Sequence, residues 1–190
     1  MKKLILPLFG LFSITLFSQS KSIISSEIRW KAYKTLRTES LSHFGTVALK
    51  SGKLIFSGNE LAGGSFVMDM TTIDAEDMNG SPKQKRFLEN HLKSDDFFDT
   101  DKFPAATFQI KFVKKINSNG YNYQVTGPLT IKGISRNISF PVKVTQANSI
   151  FTLTSAQFTF NRKNYGLKYN IFEDMLISND VEMNVTLKAK

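Results

Sequence analysis

The sequence contains no cysteine and only two histidines in 190 residues. The absence of cysteine excludes disulfide bonds and a mature N-terminus carrying a lipid-modified cysteine. Many nucleophilic and metal-assisted sites need one of these two residue types. No phosphate-binding loop or dinucleotide fingerprint occurs either, and residues 63–67 fail the nucleophile-elbow pattern at their last position. We therefore predict that the protein is not an enzyme and that it holds no metal.

Long apolar runs are also missing, apart from one near the start of the chain. Lys2 and Lys3 precede an apolar segment at residues 4–17, and Ser18-Gln19-Ser20 follows with small residues at its first and last positions. This arrangement is typical of a secretory signal peptide, which we place at residues 1–20. The segment is shorter than the roughly 20 residues that span a bilayer, so a retained anchor is the less favoured alternative. We expect the protein to be periplasmic or secreted once this peptide is removed.

The charge is unbalanced, with 25 lysines and arginines against 16 acidic residues. A formal net charge of +9 permits attraction to nucleic acid or to an anionic membrane surface. However, the lysines are scattered along the polar faces of predicted strands and form no basic run. We therefore interpret them as a solvated surface and expect no nucleic-acid partner. A peripheral contact with an anionic membrane surface stays open, as does a homodimer.

Most of the chain alternates between apolar and polar residues, which is the period of a half-buried strand. The length suits a single domain, residues 24–190, after the signal peptide. Ser51-Gly52 is expected to form a hairpin turn between strands at 46–50 and 53–57. About eight or nine such strands without a β–α–β rhythm indicate a closed antiparallel barrel or a β-sandwich.

One stretch has a helical pattern instead. Residues 82–92 follow Ser81, a suitable N-cap, and carry a narrow apolar stripe. The aspartate-rich turn at 95–101 comes next and includes Phe97 and Phe98. We interpret its carboxylates as caps for backbone amides, with cation binding and acid–base work as alternatives. A helix and loop laid over one end of a closed sheet would form a lid.

Phenylalanine is unusually abundant, with 17 in the chain. Large aromatic side chains either fill a dense core or line a wide apolar space, and composition alone leaves both open. Phe66, Met68 and Met70 share one face of a predicted strand opposite Asp69, so this face is expected to point inward. A barrel of about eight strands either fills with side chains or holds one small ligand. If a cavity exists, its ligand is apolar.

Several motifs resemble the signature of the YceI-like, polyisoprenoid-binding family. They lie at residues 91–99, 103–108, 127–135, 161–166 and 178–185, and the resemblance covers residues 24–187. It implies an all-β fold, an antiparallel lipocalin-like barrel of about eight strands with one short helix covering an end. It also implies export and, as in some members of that family, a long isoprenoid chain held in an apolar tunnel.

We therefore predict an exported carrier or reservoir that binds an extended apolar lipid inside the barrel. The expected ligand is a polyisoprenoid or an isoprenoid quinone, held non-covalently and without any other cofactor. The residues predicted to contact it are Trp30, Phe66, Met68, Met70, Phe97, Phe98, Phe108, Ile110, Phe112, Val125, Leu129, Phe140, Val142, Arg162, Met183 and Val185. Two alternatives remain: an envelope stress or interaction protein without a lipid ligand, and a lipid-modifying enzyme on the same barrel.

Three polar residues have competing interpretations. We interpret His91, on the apolar stripe of the helix, as a packing residue, with a ligand contact as the alternative. His43 is interpreted as a loop residue, with a role at the tunnel mouth as the alternative. Arg162 has a planar guanidinium that suits fixed contacts with carbonyl or carboxylate groups near the barrel rim. A polar head group of the ligand is the alternative partner of Arg162.

Overall fold

The computed structural model describes residues 18–34, 42–168 and 177–190. Most of the predicted signal peptide, residues 1–17, lies outside these ranges. The described elements are β1 (Ser18–Lys34), β2 (Ser42–Ser57), β3 (Glu60–Asp74), α1 (Pro82–Lys93), β4 (Ala105–Ile110), β5 (Phe112–Ser118), β6 (Tyr121–Ile131), β7 (Ile134–Ala147), β8 (Ile150–Ser155), β9 (Phe158–Asn161) and β10 (Ile177–Ala189), with 3₁₀ turns at Glu76–Met78 and Arg162–Tyr165.

The strands close into an antiparallel barrel. Their hydrogen-bonded order is β1-β2-β3-β4-β6-β7-β8-β10-β9, β5 also pairs with β6, and β1 pairs with β10 to complete the ring. Lys111 alone separates β4 from β5, and Ala156 and Gln157 separate β8 from β9, so each pair forms one long barrel strand. The result is a closed barrel of 8 strands with one helix in the described part. The predicted fold class is confirmed.

The expected hairpin turn at Ser51-Gly52 is wrong. Both residues lie inside the continuous strand β2, and the chain turns at Gly58 and Asn59 instead. Gly52 serves a different purpose, because a Cβ there would lie 2.9 Å from Cδ1 of Phe66. The missing side chain leaves room for this inward-pointing ring, and a glycine in mid-strand often marks such a close approach.

A one-residue bulge interrupts the barrel strand formed by β4 and β5. Phe108 lies opposite Leu129 of β6, and four residues later Phe112 lies opposite Thr126, three residues before Leu129. One extra residue reverses the face to which each following side chain points, so Val113 is partly buried in the position expected for Phe112. Phe112 is 72% exposed. Its predicted place in the inward row is wrong.

Glycine at position 127 allows the close strand contact beside this bulge. A Cβ on Gly127 would lie 1.7 Å from the carbonyl oxygen of Gln109, which is far inside any van der Waals contact. The amide of Lys111 donates to the carbonyl oxygen of Thr126 at 2.9 Å and keeps the two strands together across the irregularity. Any side chain at position 127 would force them apart.

Helix α1 lies over one end of the barrel and is tied to the end of β3. Ser81 makes no side-chain capping bond, contrary to the expectation, and Pro82 occupies the first turn. Lys85 forms an ion pair with Asp74, and the Glu89 carboxylate accepts from the amide of Ala75 at 3.1 Å. The hydrogen bond with Lys85 lowers the pKa of Asp74, and the same contact raises the pKa of Lys85.

The inward side chains at the end of the barrel opposite α1 are tightly packed. Leu54, Phe56, Val125 and Val142 are each 0% exposed. The rings of Phe56 and Phe151 meet across the interior with centroids 4.1 Å apart. We call this end the solid half, and the end that α1 covers the hollow half.

Candidate functional site

The hollow half contains a cavity of about 670 Å³ beneath α1. Inward side chains of β1, β2, β3, β4, β6, β7, β9 and β10 form its wall, and side chains of α1 and of the turn that follows it form its roof. The predicted residues that line it are Trp30, Phe66, Met68, Met70, Phe97, Phe98, Phe108, Leu129, Phe140, Arg162, Met183 and Val185. Their contact with a ligand stays a prediction.

Four of the predicted residues do not line this cavity. Ile110, Val125 and Val142 are buried, but they point into the solid half. Their alternation pattern is correct, since they share the inward face with Phe108, Leu129 and Phe140. Phe112 lies on the outer surface for the reason given above. Ile110, Val125 and Val142 differ from the wall residues only in their position along the barrel, in the half that α1 does not cover.

A cluster of aromatic rings forms the floor of the cavity. Phe140 and Phe158 stack with centroids 4.0 Å apart and planes 7° from parallel. Phe108 lies 5.4 Å from Phe140, and Phe66 lies 6.4 Å from Phe108. Such offset and tilted arrangements are favourable for aromatic pairs. The rings therefore close the cavity from below and separate it from the solid half.

The turn after α1 holds two aromatic side chains in the roof. Phe97 and Phe98 meet edge to face with centroids 4.8 Å apart. The Lys132 ammonium donates to the backbone carbonyls of Asp95 and Phe97, each at 2.9 Å. The turn is thus fixed to the β6–β7 connection at the barrel end.

In the aspartate-rich turn, the carboxylate of Asp99 makes a different contact from the predicted amide cap. The carboxylate of Asp99 pairs with the Lys102 ammonium at 3.1 Å. The amides of Lys102 and Phe103 donate to the backbone carbonyl of Asp99, not to its carboxylate. This contact with Asp99 raises the pKa of Lys102. The carboxylate of Asp99 therefore pairs with a lysine side chain and does not cap these amides as predicted.

Both histidines border the cavity. His43 lies in β2 and not in a loop, which corrects the preferred interpretation. Its Nδ1 is 2.8 Å from a carboxylate oxygen of Asp77, whose other oxygen accepts from the amide of Phe44. His91 lines the roof, and its ring centroid lies 6.4 Å from that of Phe97. The polar groups therefore gather at the helix end of the cavity.

Arg162 is buried, with 1% of its surface exposed. Its guanidinium donates to the carbonyl oxygens of Leu167 at 2.9 Å, Ser178 at 3.1 Å and Ile177 at 3.3 Å. These contacts are the fixed carbonyl contacts expected at the rim. Because Leu167 and Ile177 lie on either side of residues 169–176, Arg162 joins the two chain segments that flank this stretch.

Other wall residues were not among those predicted. They include Ile28, Val47, Ile73, Phe87, Leu88, Ala106, Ile131, Ile138, Phe158, Phe160, Ile177 and Val181. The alternation of Phe158 and Phe160 was visible, but the phase of the preceding residues is ambiguous. Phe87 and Leu88 belong to the apolar stripe of the helix. The remaining strand positions needed the three-dimensional arrangement, since small or aliphatic residues in a strand carry no separate signal for a cavity.

The fold and the cavity define a class of protein, a closed antiparallel barrel with an apolar chamber under a helix. None of the helices in residues 18–34, 42–168 and 177–190 is long and apolar enough to cross a membrane. The chain matches the model of the YceI-like domain over residues 20–189. It belongs to the YceI-like family, as the sequence motifs predicted.

Two curated relatives match part of the chain. A UPF0312 protein of Staphylococcus aureus (strain N315) is 39% identical over 88 residues, which are 43% of this chain and 47% of that protein. The corresponding protein of strain USA300 is 38% identical over the same length. The aligned region thus spans about half the length of these curated relatives.

Solved structures share the fold at low sequence identity. BcnA of Burkholderia cenocepacia has a TM-score of 0.64 at 20% identity, covering 87% of this chain and 96% of that chain. A polyisoprenoid binding domain from Saccharophagus degradans has a TM-score of 0.61 at 13% identity, covering 90% and 97% respectively. The YCEI protein of Campylobacter jejuni gives 0.56 at 15% identity, covering 100% and 93%.

Proposed function

We propose that this protein is an exported carrier or reservoir that holds an extended apolar lipid in its hollow half. The cavity of about 670 Å³ beneath α1 is the observation that carries the proposal. Its size falls within the range that is usual for small-molecule sites, and its walls are largely phenylalanine, methionine and aliphatic side chains. The fold shared with the polyisoprenoid binding domain from Saccharophagus degradans supports a polyisoprenoid or an isoprenoid quinone as the ligand.

The distribution of polar groups gives the ligand a direction. The floor around Phe140 and Phe158 offers only aromatic and aliphatic surface, whereas His43, His91 and Lys34 border the opposite end. A polar head group without hydrogen-bond partners is costly to bury. We therefore place the apolar tail on the aromatic floor and the head group beneath α1.

We interpret the cavity as a binding site and not as a catalytic one. Burial of apolar surface contributes about 25 cal/mol per Å², so an extended lipid gains its affinity from contact area alone. Membership of the YceI-like family supports the same interpretation. The histidines lie at the roof and the rim, where they are suited to contact a head group.

Trp30 provides a direct test. It is the only tryptophan in the sequence, and its side chain lines the cavity. A benzoquinone with a short isoprenoid tail should quench the fluorescence of the lipid-free protein with saturation. Geranylgeraniol, which has an isoprenoid tail but no quinone ring, should compete for the same site and restore the fluorescence.

Native mass spectrometry of protein purified from its own host complements this titration. We expect a retained, non-covalent mass of several hundred daltons, which is the size of an extended lipid. Unquenched Trp30 fluorescence together with a clean apo mass would reject the carrier and favour the envelope interaction protein. A retained lipid that is chemically altered on standing would favour the lipid-modifying enzyme.

A further inference from the structure

The cavity opens toward solvent beside the N-terminal half of α1. An adjoining space of about 660 Å³ is lined by Lys34, His43, Phe87 and Leu88, and also by Lys83 and Gln84. The first four of these residues line the inner cavity too. Among residues 18–34, 42–168 and 177–190, the adjoining space is therefore the mouth of the cavity, and cargo that enters through it passes α1.

An aromatic side chain stands exposed at this mouth. Phe87 is 79% exposed, more than any other large apolar side chain in the described ranges. Its neighbours Leu88 and Leu92 on α1 are turned toward the barrel and are partly or fully buried. Contact with bulk water is unfavourable for so large an apolar surface. Phe87 is thus positioned to enter an apolar environment outside the protein.

Exposed cations accompany Phe87 on α1 and at the end of β1. Lys83 and Arg86 are exposed on α1, and Lys34 is exposed at the end of β1. In the described part of the chain, none of these three forms an ion pair. The mouth therefore presents positive charge around an exposed aromatic ring.

Among the described residues, the acidic side chains that flank this surface are engaged with other groups. Asp74 and Glu89 lie beside Lys85, and Asp77 lies beside His43. The exposed Asp95 and Asp96 follow the other end of α1. A helix of 12 residues is about 18 Å long, so these two carboxylates are distant from Lys83. The charge at the mouth is complementary to an anionic surface.

We propose that the mouth surface, formed by Lys34, Lys83, Arg86 and Phe87, docks on an anionic lipid bilayer. Lysine and arginine near such a surface are attracted by its negative potential, and an exposed phenylalanine inserts at the boundary of the acyl chains. The inference rests on the proposed function, because docking places the mouth against the source of an apolar cargo. The lipid then exchanges between bilayer and cavity without exposing its tail to water.

Vesicle co-sedimentation of the exported form, freed of bound lipid, tests this docking. Vesicles of phosphatidylcholine with phosphatidylglycerol should bind the protein, whereas vesicles of phosphatidylcholine alone report any binding that does not depend on charge. The double variant Lys83→Glu/Arg86→Glu should weaken binding to the anionic vesicles by about tenfold or more. Phe87→Ser should weaken it as well, by removing the inserted ring.

The chain offers a matched control at the other end of the barrel. Phe112, the first residue of β5, is 72% exposed, and the exposed Lys111 and Lys114 lie just before and after it in the chain. Lys111→Glu/Lys114→Glu changes the net charge equally, and Phe112→Ser removes an equally exposed ring, so both should leave vesicle binding nearly unchanged. Equal losses at the two ends, or no binding of the parent protein to anionic vesicles, would overturn the proposal.

Cargo binding is measured separately, so that the two proposals can fail independently. The variant Lys83→Glu/Arg86→Glu should still show quenching of Trp30 by the quinone in solution, because neither side chain lines the inner cavity. Quenching without vesicle binding in the parent protein leaves the carrier in place and rejects the docking surface. Vesicle binding without quenching rejects the carrier and, with it, the exchange of lipid.

Discussion

The two halves of the barrel contain the same kinds of inward residue and pack them differently. In the solid half, Phe56 meets Phe151 across the interior at 4.1 Å, and its side chain is completely buried. In the hollow half, Met68 and Val185 are only partly buried, and both border a cavity of about 670 Å³. The solid half supplies close packing and stability. The hollow half leaves apolar surface free for a ligand.

The boundary between the halves has an identifiable cause. Phe108, Phe140 and Phe158 form a layer of rings across the barrel. The bulge that follows Phe108 turns the side chains of β5 to the opposite face. The row of inward side chains along β4 is therefore out of step with the row along β5. A closed sheet thus gains a chamber where large rings form a floor and a helix replaces the side chains that would otherwise fill the end.

The two halves should differ most in how much their core side chains contribute to the free energy of unfolding. Phe56→Ala in the solid half should lower the free energy of unfolding by about 3–5 kcal/mol, because it loses contacts and leaves a new void. Phe158→Ala in the hollow half should cost clearly less, because the side chain is only partly buried and its loss enlarges a space that already exists. Urea denaturation of both variants measures this difference. Equal costs would mean that the two halves are packed alike.

A second prediction concerns the boundary itself. Gly127→Ala should destabilise the protein by about 2 kcal/mol, because the new methyl group would overlap the carbonyl oxygen of Gln109 and push the strands apart. Gly80→Ala is the matched control, since a Cβ there would meet nothing within 4 Å. Thermal unfolding should show a clear loss for the first variant and almost none for the second.

Binding should respond only to changes in the hollow half. Met70→Arg places a charged group in the wall and should weaken quinone binding by about tenfold or more, as an unpaired charge is costly in an apolar site. The fold should persist, because a long arginine side chain can extend along the cavity and keep its charged end near water at the mouth. Thr71→Arg, on the exposed face of the same strand, is the control. Undiminished quenching in Met70→Arg would contradict the assignment of the wall.

A low pH should weaken, by a small amount, the contact that holds α1 over the hollow half. The pKa of Asp74 is lowered by its hydrogen bond with Lys85, so the ion pair stabilises the docking of α1 above the unfolded-state pKa of about 4. This contribution is lost as pH falls through the lowered pKa. Hydrogen exchange of α1 amides should accelerate at acid pH in the parent protein. Asp74→Asn should remove much of this dependence, whereas a solid-half strand should show little of it.

The alternating pattern predicted which face of a strand points inward, and this was correct for most of the barrel. Phe66, Met68 and Met70 all line the cavity as expected. The same reasoning failed for Phe112 because a single-residue bulge has no sequence signature of its own. Ser51-Gly52 has the composition of a turn but lies inside β2. The glycine is needed there because the Phe66 ring of a different strand packs against it, which the local sequence does not reveal.

The site was harder to predict than the fold. Alternation gives the face of a residue but not its height in the barrel, so Val125 and Val142 could not be separated from Leu129 and Phe140. The two sides of the mouth also come from β2 and α1, which are far apart in the sequence. The residues before His43 are polar and irregular, which favours a loop there, whereas Asp77 of a distant segment fixes His43 at the rim.

The backbone of Ser22 both donates to and accepts from that of Lys190, at 3.1 and 3.0 Å. This double link lies in the solid half, at the opposite end of β10 from the mouth. The 13 residues of β10 correspond to roughly 40 Å at about 3.3 Å per residue. A protein immobilised on a sensor chip through Lys190 would consequently face the liquid with its entrance open. Lipid exchange could then be followed in real time on oriented molecules.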